Sequence, residues 1–474
     1  MQLKNAIFLP FLGLLCVIAT PADIHAQTPV DRDVARETIV APASGPVRVE
    51  VTADHRDALY KIGETVTFHI RLISGGKLVK GQPVSYLIRS EHFFSQSGSF
   101  GEGEKDVAVS PKEPGFLLCE ASCRPSGEGK ELTGCWGVGV EPLKIRAETP
   151  EPHDFDAFWK KQMQELAKVP VRELERVPVE VSDPAFAGKV RLFDIKVSCS
   201  GDKPVSGYLA LPAHAAKGSL PVVVRFHGAG VDGAKANLEL AAKGALVFDI
   251  NAHGIPNGRP PAFYHELEKG ALYRYYMQGN ASRETAYFKG MFLRAARAVQ
   301  YVQGLPEWDR RHLIAYGGSQ GGAQALVASA LVPEVTRCIA AAPWLCNFTG
   351  VTEGSIPASW PGFIKMNGRE VVSKAEAGAL PYFDPAIFAK RIRAKSLLSV
   401  AFCDRAAPPA SVYVAYNNIP GDKEIINCVG EAHTGPMIYM KCGDALKKLI
   451  ADIRRENTGS HREGVDEPRP YKTT

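Results

Sequence analysis

The chain has 474 residues, more than one ordinary domain. With 45% hydrophobic and 23% charged residues it has the balance of a globular protein that buries a core. A net charge of +5 is small for this length and gives no reason to expect nucleic acid as a partner.

The N-terminus reads "MQLKNAIFLPFLGLLCVIATPADIHAQ". Lys4 gives a positive start, an apolar run covers 6–20, and a polar exit ends near Ala26. This is the pattern of a secretory signal peptide over 1–26, cut after Ala26. The run is short for a bilayer span and Pro10 interrupts it. No later segment is apolar enough to cross a bilayer, so the expectation is a periplasmic or secreted protein without a stable membrane span. A polar linker, 27–44, follows.

Residues 45–147 then alternate in short runs rich in Val, Ile, Phe and Tyr. "VRVEVTAD", "TVTFHIRLI", "QPVSYLIRS", "KDVAVSP", "GFLLCEASC" and "CWGVGVEP" are separated by Gly, Pro and Ser. Short strands at this spacing predict a small all-β, immunoglobulin-like sandwich. It carries no catalytic constellation. Of ten cysteines one lies in the signal, so at least one of the other nine stays unpaired. Cys119, Cys123 and Cys135 cluster, and two of them are close enough in sequence to pair. The others sit in apolar runs, as buried thiols do. With no C-x-x-C pair and no H-E-x-x-H, a zinc site has no sequence support.

The pattern changes near "TPEPHDFDAFWKKQMQEL", where Asp154 or Asp156 is placed to cap a helix carrying Phe158, Trp159, Met163 and Leu166. From there strands alternate with helices over 148–453. "VRLFDIKVS", "VSGYLALP", "LPVVVRFHG", "GALVFDINA", "HLIAYGG", "VTRCIAAAP", "AKSLLSVAF" and "KEIINCVG" read as strands. The long amphipathic "AYFKGMFLRAARAVQYVQGL" reads as a helix. The fold class expected is α/β, with a mostly parallel sheet covered on both faces. The tail, 454–474, lacks apolar residues and is expected to be disordered.

Within this region Gly317-Gly318-Ser319-Gln320-Gly321 fits G-x-S-x-G. The pattern is short, but here a strand precedes it and a small-residue helix follows. That strand–turn–helix is the nucleophile elbow of α/β-hydrolases, in which small neighbours let the chain turn sharply around an exposed serine. The alternative is a glycine-rich turn that serves packing alone. A serine hydroxyl is barely ionised at neutral pH and needs a base to take its proton. In this fold the order along the chain is Ser, then Asp or Glu, then His. Only His433 and His461 follow Ser319, and His461 lies in the charged tail. Chain order therefore selects His433. The acid should end a strand between them. Asp404 directly follows "SLLSVAFC", whereas Asp384 in "YFDP" reads as a turn or cap and Asp422 in "PGDK" as a surface turn. Asp404 is the candidate that orients the imidazole.

An oxyanion hole needs two preorganised backbone N–H groups. Gln320, next after the serine, supplies one. The loop "HGAG" at 227–230 supplies the other, assigned to Ala229. His227 precedes two small residues and reads as a structural support of that loop. "WLCNFTGV" and "EGSIPASWPGF" are placed to form part of the pocket wall. Trp344 and Trp360 are candidates to stack on a sugar, with core packing as the simpler reading of each.

Together these residues resemble the acetyl xylan esterase and cephalosporin-C deacetylase family, carbohydrate esterase family 7. The resemblance covers roughly 150–450 and rests on "EPHDFDAFW", "FHGAG", "GGSQGG", "YFDP" and "SVAFCDRAAPPASVYVAYNNI". It implies an α/β-hydrolase that removes acetyl groups from short xylo-oligosaccharides and related small esters. It also implies no cofactor and, in many members, compact homo-oligomers. Where the family carries Arg-Gly-Gln after the strand that follows the oxyanion loop, this chain has Asn251-Ala252-His253. This makes His253 a candidate substrate contact. Thr434 stands where the family has glutamate after its histidine. The leading sandwich resembles the one on some exported bacterial relatives.

The function expected is thus a secreted serine esterase acting on a small acetylated carbohydrate. Three alternatives remain open at this point: an esterase for another carbohydrate ester, a peptidase of the prolyl-oligopeptidase type, and a carbohydrate-binding protein without turnover. The leading segment is far too short for the propeller of such peptidases.

Overall fold

The computed structural model describes residues 46–90, 95–125, 129–147, 150–347 and 373–459. The expected signal, the linker 27–44, Trp360, His461 and residues 460–474 lie outside the described residues.

The first part is all β. Its strands are β1 (Arg48–Ala53), β2 (Leu59–Tyr60), β3 (Val66–Ser74), β4 (Lys77–Leu78), β5 (Val84–Ser90), β6 (Ser95–Phe100), β7 (Glu104–Val109), β8 (Gly115–Cys123) and β9 (Leu132–Val140). One sheet has β3 paired with β1, β4 and β7; the other runs β2-β9-β8-β5-β6. In β3, Val66, Phe68, Ile70 and Leu72 are fully buried while Arg71 is exposed. That period of two places one face of the strand on the core. Cys119, Cys123 and Cys135 are free thiols, so the pairing considered for them is not formed. They lie opposite Trp136, Leu132 and Glu120 across β8 and β9, so Cys135 points to the other face of the sheet from Cys119 and Cys123, and those two are four residues apart along one strand.

The second part is one nine-stranded sheet. Its strands are β10 (Glu173–Val179), β11 (Val190–Val197), β12 (Val205–Pro212), β13 (Leu220–Phe226), β14 (Leu246–Asn251), β15 (Trp308–Gly318), β16 (Arg337–Ala341), β17 (Lys395–Ala401) and β18 (Lys423–Cys428). Their order is β10-β11-β12-β14-β13-β15-β16-β17-β18. The β10-β11-β12-β14 pairings are antiparallel and the rest are parallel. Helices cover both faces. Val222, Val224, Leu313 and Ala315 face helices 287–303 and 320–331, while Val223, Val247 and Ile314 face the helix at 238–242 and the C-terminal helix. Burial on both faces is why these strands are continuous apolar runs.

The C-terminal helix, Pro436–Gly459, continues past 453, where the disordered tail was expected to begin. Arg454 explains part of this: its Nη1 donates to the Lys243 carbonyl at 2.9 Å. Asp154 precedes the first helix, Phe155–Ala167, but its carboxylate caps nothing. It instead accepts from Arg283 at 2.7 Å and from the Tyr382 hydroxyl. Asp384 caps the helix Pro385–Ala389, accepting from the Ala386 N–H at 2.8 Å.

The sandwich shares its core with the hydrolase sheet. The Phe116 ring lies 5.0 Å from that of Phe402 and 5.5 Å from that of Tyr413. Asn417 Nδ2 donates to the Pro142 and Ile145 carbonyls at 3.0 and 2.9 Å. Glu120 on β8 receives Arg405 at 3.0 Å.

Candidate active site

Parallel strands deliver their following loops to one edge of the sheet, and that edge is where α/β folds place their chemistry. Here the loops after β13, β15, β17 and β18 meet. Ser319 sits between β15 and the helix Gln320–Leu331 with φ 56° and ψ −123°. A non-glycine residue adopts such a backbone only when its surroundings over-determine it. The surroundings do so here. The Ser319 N–H donates to the Ala341 carbonyl at 2.8 Å, and its own carbonyl accepts from Ala323 and Trp344 at 3.1 and 3.0 Å. The glycines answer to close approach. A Cβ on Gly321 would lie 2.6 Å from the Phe226 carbonyl carbon and 2.8 Å from the His227 oxygen. On Gly317 it would lie 2.9 Å from the Gly321 Cα.

The structure brings together the three side chains selected by chain order. His433 Nε2 is 2.9 Å from Ser319 Oγ, and His433 Nδ1 is 2.6 Å from Asp404 Oδ2. The Asp404 carboxylate is fully buried, and its other oxygen accepts from the Ala406 and Ala407 N–H groups at 2.8 Å each. The turn after β17 thus aims Oδ2 at the imidazole. An acceptor-only carboxylate on Nδ1 requires the proton there, which leaves Nε2 free to accept from the serine. Tyr439, unnoticed in the sequence, supports the histidine. Its hydroxyl donates to the His433 carbonyl at 3.0 Å, and a Cβ on Gly318 would meet its ring at 2.8 Å.

The loop at 227–230 lies beside the elbow: a Cβ on Gly228 would be 3.8 Å from the Ser319 Cβ. Ala229 is exposed at its tip. His227 supports the loop. Its Nδ1 donates to the Gly228 carbonyl at 2.7 Å, and its Nε2 accepts from the Ala252 N–H at 3.0 Å. Desolvation holds its pKa below the ordinary imidazole value, so it stays neutral.

Two substrate candidates are corrected. Trp344 is 1% exposed and packs 6.3 Å from the Phe288 ring, so it braces the elbow from within the core and presents no face to a sugar. His253 is also 1% exposed, with both ring nitrogens occupied by the Gly230 carbonyl and the Tyr287 hydroxyl. Sequence could not separate these from surface positions, because each sits in a glycine- or proline-bearing loop segment next to the site.

A serine on a strained elbow, an imidazole on its hydroxyl and a buried carboxylate behind it, in this chain order on this sheet, define an α/β-hydrolase. The chain belongs to the acetyl xylan esterase family, whose model matches residues 140–442, and it is a carboxylic ester hydrolase. The acetyl esterase Axe7A of Xylanibacter ruminicola is 28% identical over 380 residues, which is 78% of this chain and 83% of that protein. The acetyl xylan esterase from Paenibacillus sp. R4 superposes with a TM-score of 0.54 at 23% identity, over 65% of this chain and 98% of its own. Acetyl xylan esterase 1 from a Thermoanaerobacterium species gives 0.52 at 21% identity, over 66% and 98%. These two likenesses show the fold.

Proposed function

We propose that the chain is a serine esterase that removes O-acetyl groups from short acetylated xylo-oligosaccharides or related small acetyl esters. The hydrogen-bonded line from Ser319 through His433 to Asp404 carries this reading. Ser319 Oγ attacks the acetyl carbonyl while His433 Nε2 takes its proton. Asp404 holds the imidazole in the required tautomer and stabilises the imidazolium. The Gln320 and Ala229 N–H groups receive the oxyanion; neither has a hydrogen-bond partner among the described residues. His433 then protonates the departing sugar oxygen, and the acetyl-enzyme remains. Water, deprotonated by the same histidine, releases acetate and restores the serine. The family membership and the name of the Xylanibacter relative support the acetyl group as the acyl part.

Acetate release from acetylated xylo-oligosaccharides tests the substrate, and Ser319→Ala tests the chemistry. The variant should lose at least about 10^3-fold in kcat with an unchanged melting temperature. Full retained turnover would overturn the assignment. The pattern at 1–26 supports export to the periplasm or beyond. N-terminal sequencing of the exported protein should begin at Gln27, and an intact Met1 would contradict it.

A further inference from the structure

Asn251, Ala252 and His253 each hold a different point of the oxyanion loop. Asn251 Nδ2 donates to the Asp232 carbonyl, 2.5 Å away. The Ala252 N–H donates to His227 Nε2 at 3.0 Å. His253 approaches the Gly230 carbonyl with Nε2 at 2.8 Å. A carbonyl only accepts, so Nε2 carries the proton, and Nδ1 accepts from the Tyr287 hydroxyl at 2.7 Å. The segment itself is anchored. Arg294 donates to the Ala252 carbonyl from Nε and Nη2 at 3.1 and 2.9 Å, and the His253 N–H donates to Asn251 Oδ1 at 2.9 Å.

Tyr275 connects this loop to the elbow. It is buried, its ring lies 4.6 Å from that of His253, and its hydroxyl donates to Gln320 Oε1 at 2.5 Å. Gly230 is therefore held at its carbonyl by His253, and the Tyr275 ring backs that imidazole. The residue before Gly230 is Ala229, whose N–H is one oxyanion donor; the residue at the other end of the Tyr275 bridge is Gln320, which carries the second. One tyrosine thus links the two segments whose separation defines the hole, its ring against His253 on one side and its hydroxyl on Gln320 on the other.

We propose that Tyr275 and His253 are positioning residues that set the spacing of the Ala229 and Gln320 N–H groups for the tetrahedral intermediate. The proposal rests on the serine-esterase reading above. Oxyanion stabilisation depends on donors fixed before charge develops, because dipoles that must reorganise spend their interaction on moving. Burial keeps the imidazole of the clamp from titrating: desolvation pushes the His253 pKa down to about 3, so the ring is neutral near neutral pH.

Tyr275→Phe removes one hydroxyl and keeps the ring. With p-nitrophenyl acetate, kcat should fall about 10- to 100-fold while KM stays within about threefold, less than the loss of a whole donor. Phenylboronic acid forms a tetrahedral adduct on a nucleophilic serine, so its Ki should rise in parallel with the fall in kcat. His253→Gln, whose amide can still donate to Gly230, should keep more activity than His253→Leu. Wild-type kcat and boronate Ki in folded Tyr275→Phe would overturn the clamp, as would a lower kcat with unchanged boronate affinity. If His253→Leu does not fold, Tyr275→Phe alone decides. Ser319→Ala is run alongside. Its inactivity beside a normal Tyr275→Phe sinks only the clamp, whereas its full activity sinks the serine-esterase reading itself.

Discussion

Gly137 of the sandwich lies directly against the backbone of Phe402, two residues before Asp404. A Cβ at 137 would overlap the Phe402 carbonyl oxygen and come within 2.6 Å of its carbonyl carbon. The leading sandwich therefore abuts the turn that aims the acid of the triad. Gly137→Ala should push that turn, destabilising the protein by about 1–3 kcal/mol through overpacking. It should also lower kcat more than it raises KM. Melting curves and Michaelis profiles check this; wild-type values for both would mean that the contact relaxes without reaching Asp404.

Asp404→Asn keeps an oxygen for the Ala406 and Ala407 N–H groups, so the turn should survive. Its amide would donate to His433 Nδ1 and force the proton onto Nε2, where it blocks acceptance from Ser319. The expected loss in kcat is about 10^4-fold, as for the same change in other Ser-His-Asp enzymes. A loss below tenfold would show that another carboxylate orients the histidine.

The buried histidines link stability to pH. His253 has a folded pKa of about 3 against an ordinary 6.5, and that of His227 is lowered as well. Between those values the unfolded chain binds protons that the folded chain refuses. The stabilisation is fully present above about pH 6.5 and is lost as pH falls toward 3. Around His253, the groups Arg294, Tyr275 and Tyr287 carry no negative charge there to offset it; beside His227, Asp232 works against the shift, but desolvation is the larger effect. Melting temperatures from pH 7 down to pH 4 should fall more steeply for wild type than for His253→Gln. Equal slopes would place the acid sensitivity elsewhere.

Much of this was legible in the chain because the features are local. β13, β14, β15 and β17 announce themselves as apolar runs, since a strand buried on both faces needs no polar alternation. The elbow is legible because its glycines are demanded by contacts only a few residues apart, Gly317 against Gly321. Other strands were not legible. β6, "SQSGSF", has no buried residue, and β10, "ELERVPV", is an exposed outer strand, so neither carries a hydrophobic period. Their strand character comes from the ladder beside them.

By itself the sequence determined the reacting trio, because chain order left His433 as the one following histidine outside the charged tail and Asp404 as the one aspartate directly after an apolar strand run. It could not determine what surrounds that trio. Trp344, Trp360 and His253 read alike as pocket candidates, yet Trp344 belongs to the core and His253 holds the oxyanion loop. Tyr275, in a tyrosine-rich loop with no motif, lies 45 residues from Gln320 and still bonds to it. Periodicity and spacing report a residue's own element. Which face of a distant loop it meets depends on how the sheet brings loop ends together, and that only tertiary packing decides.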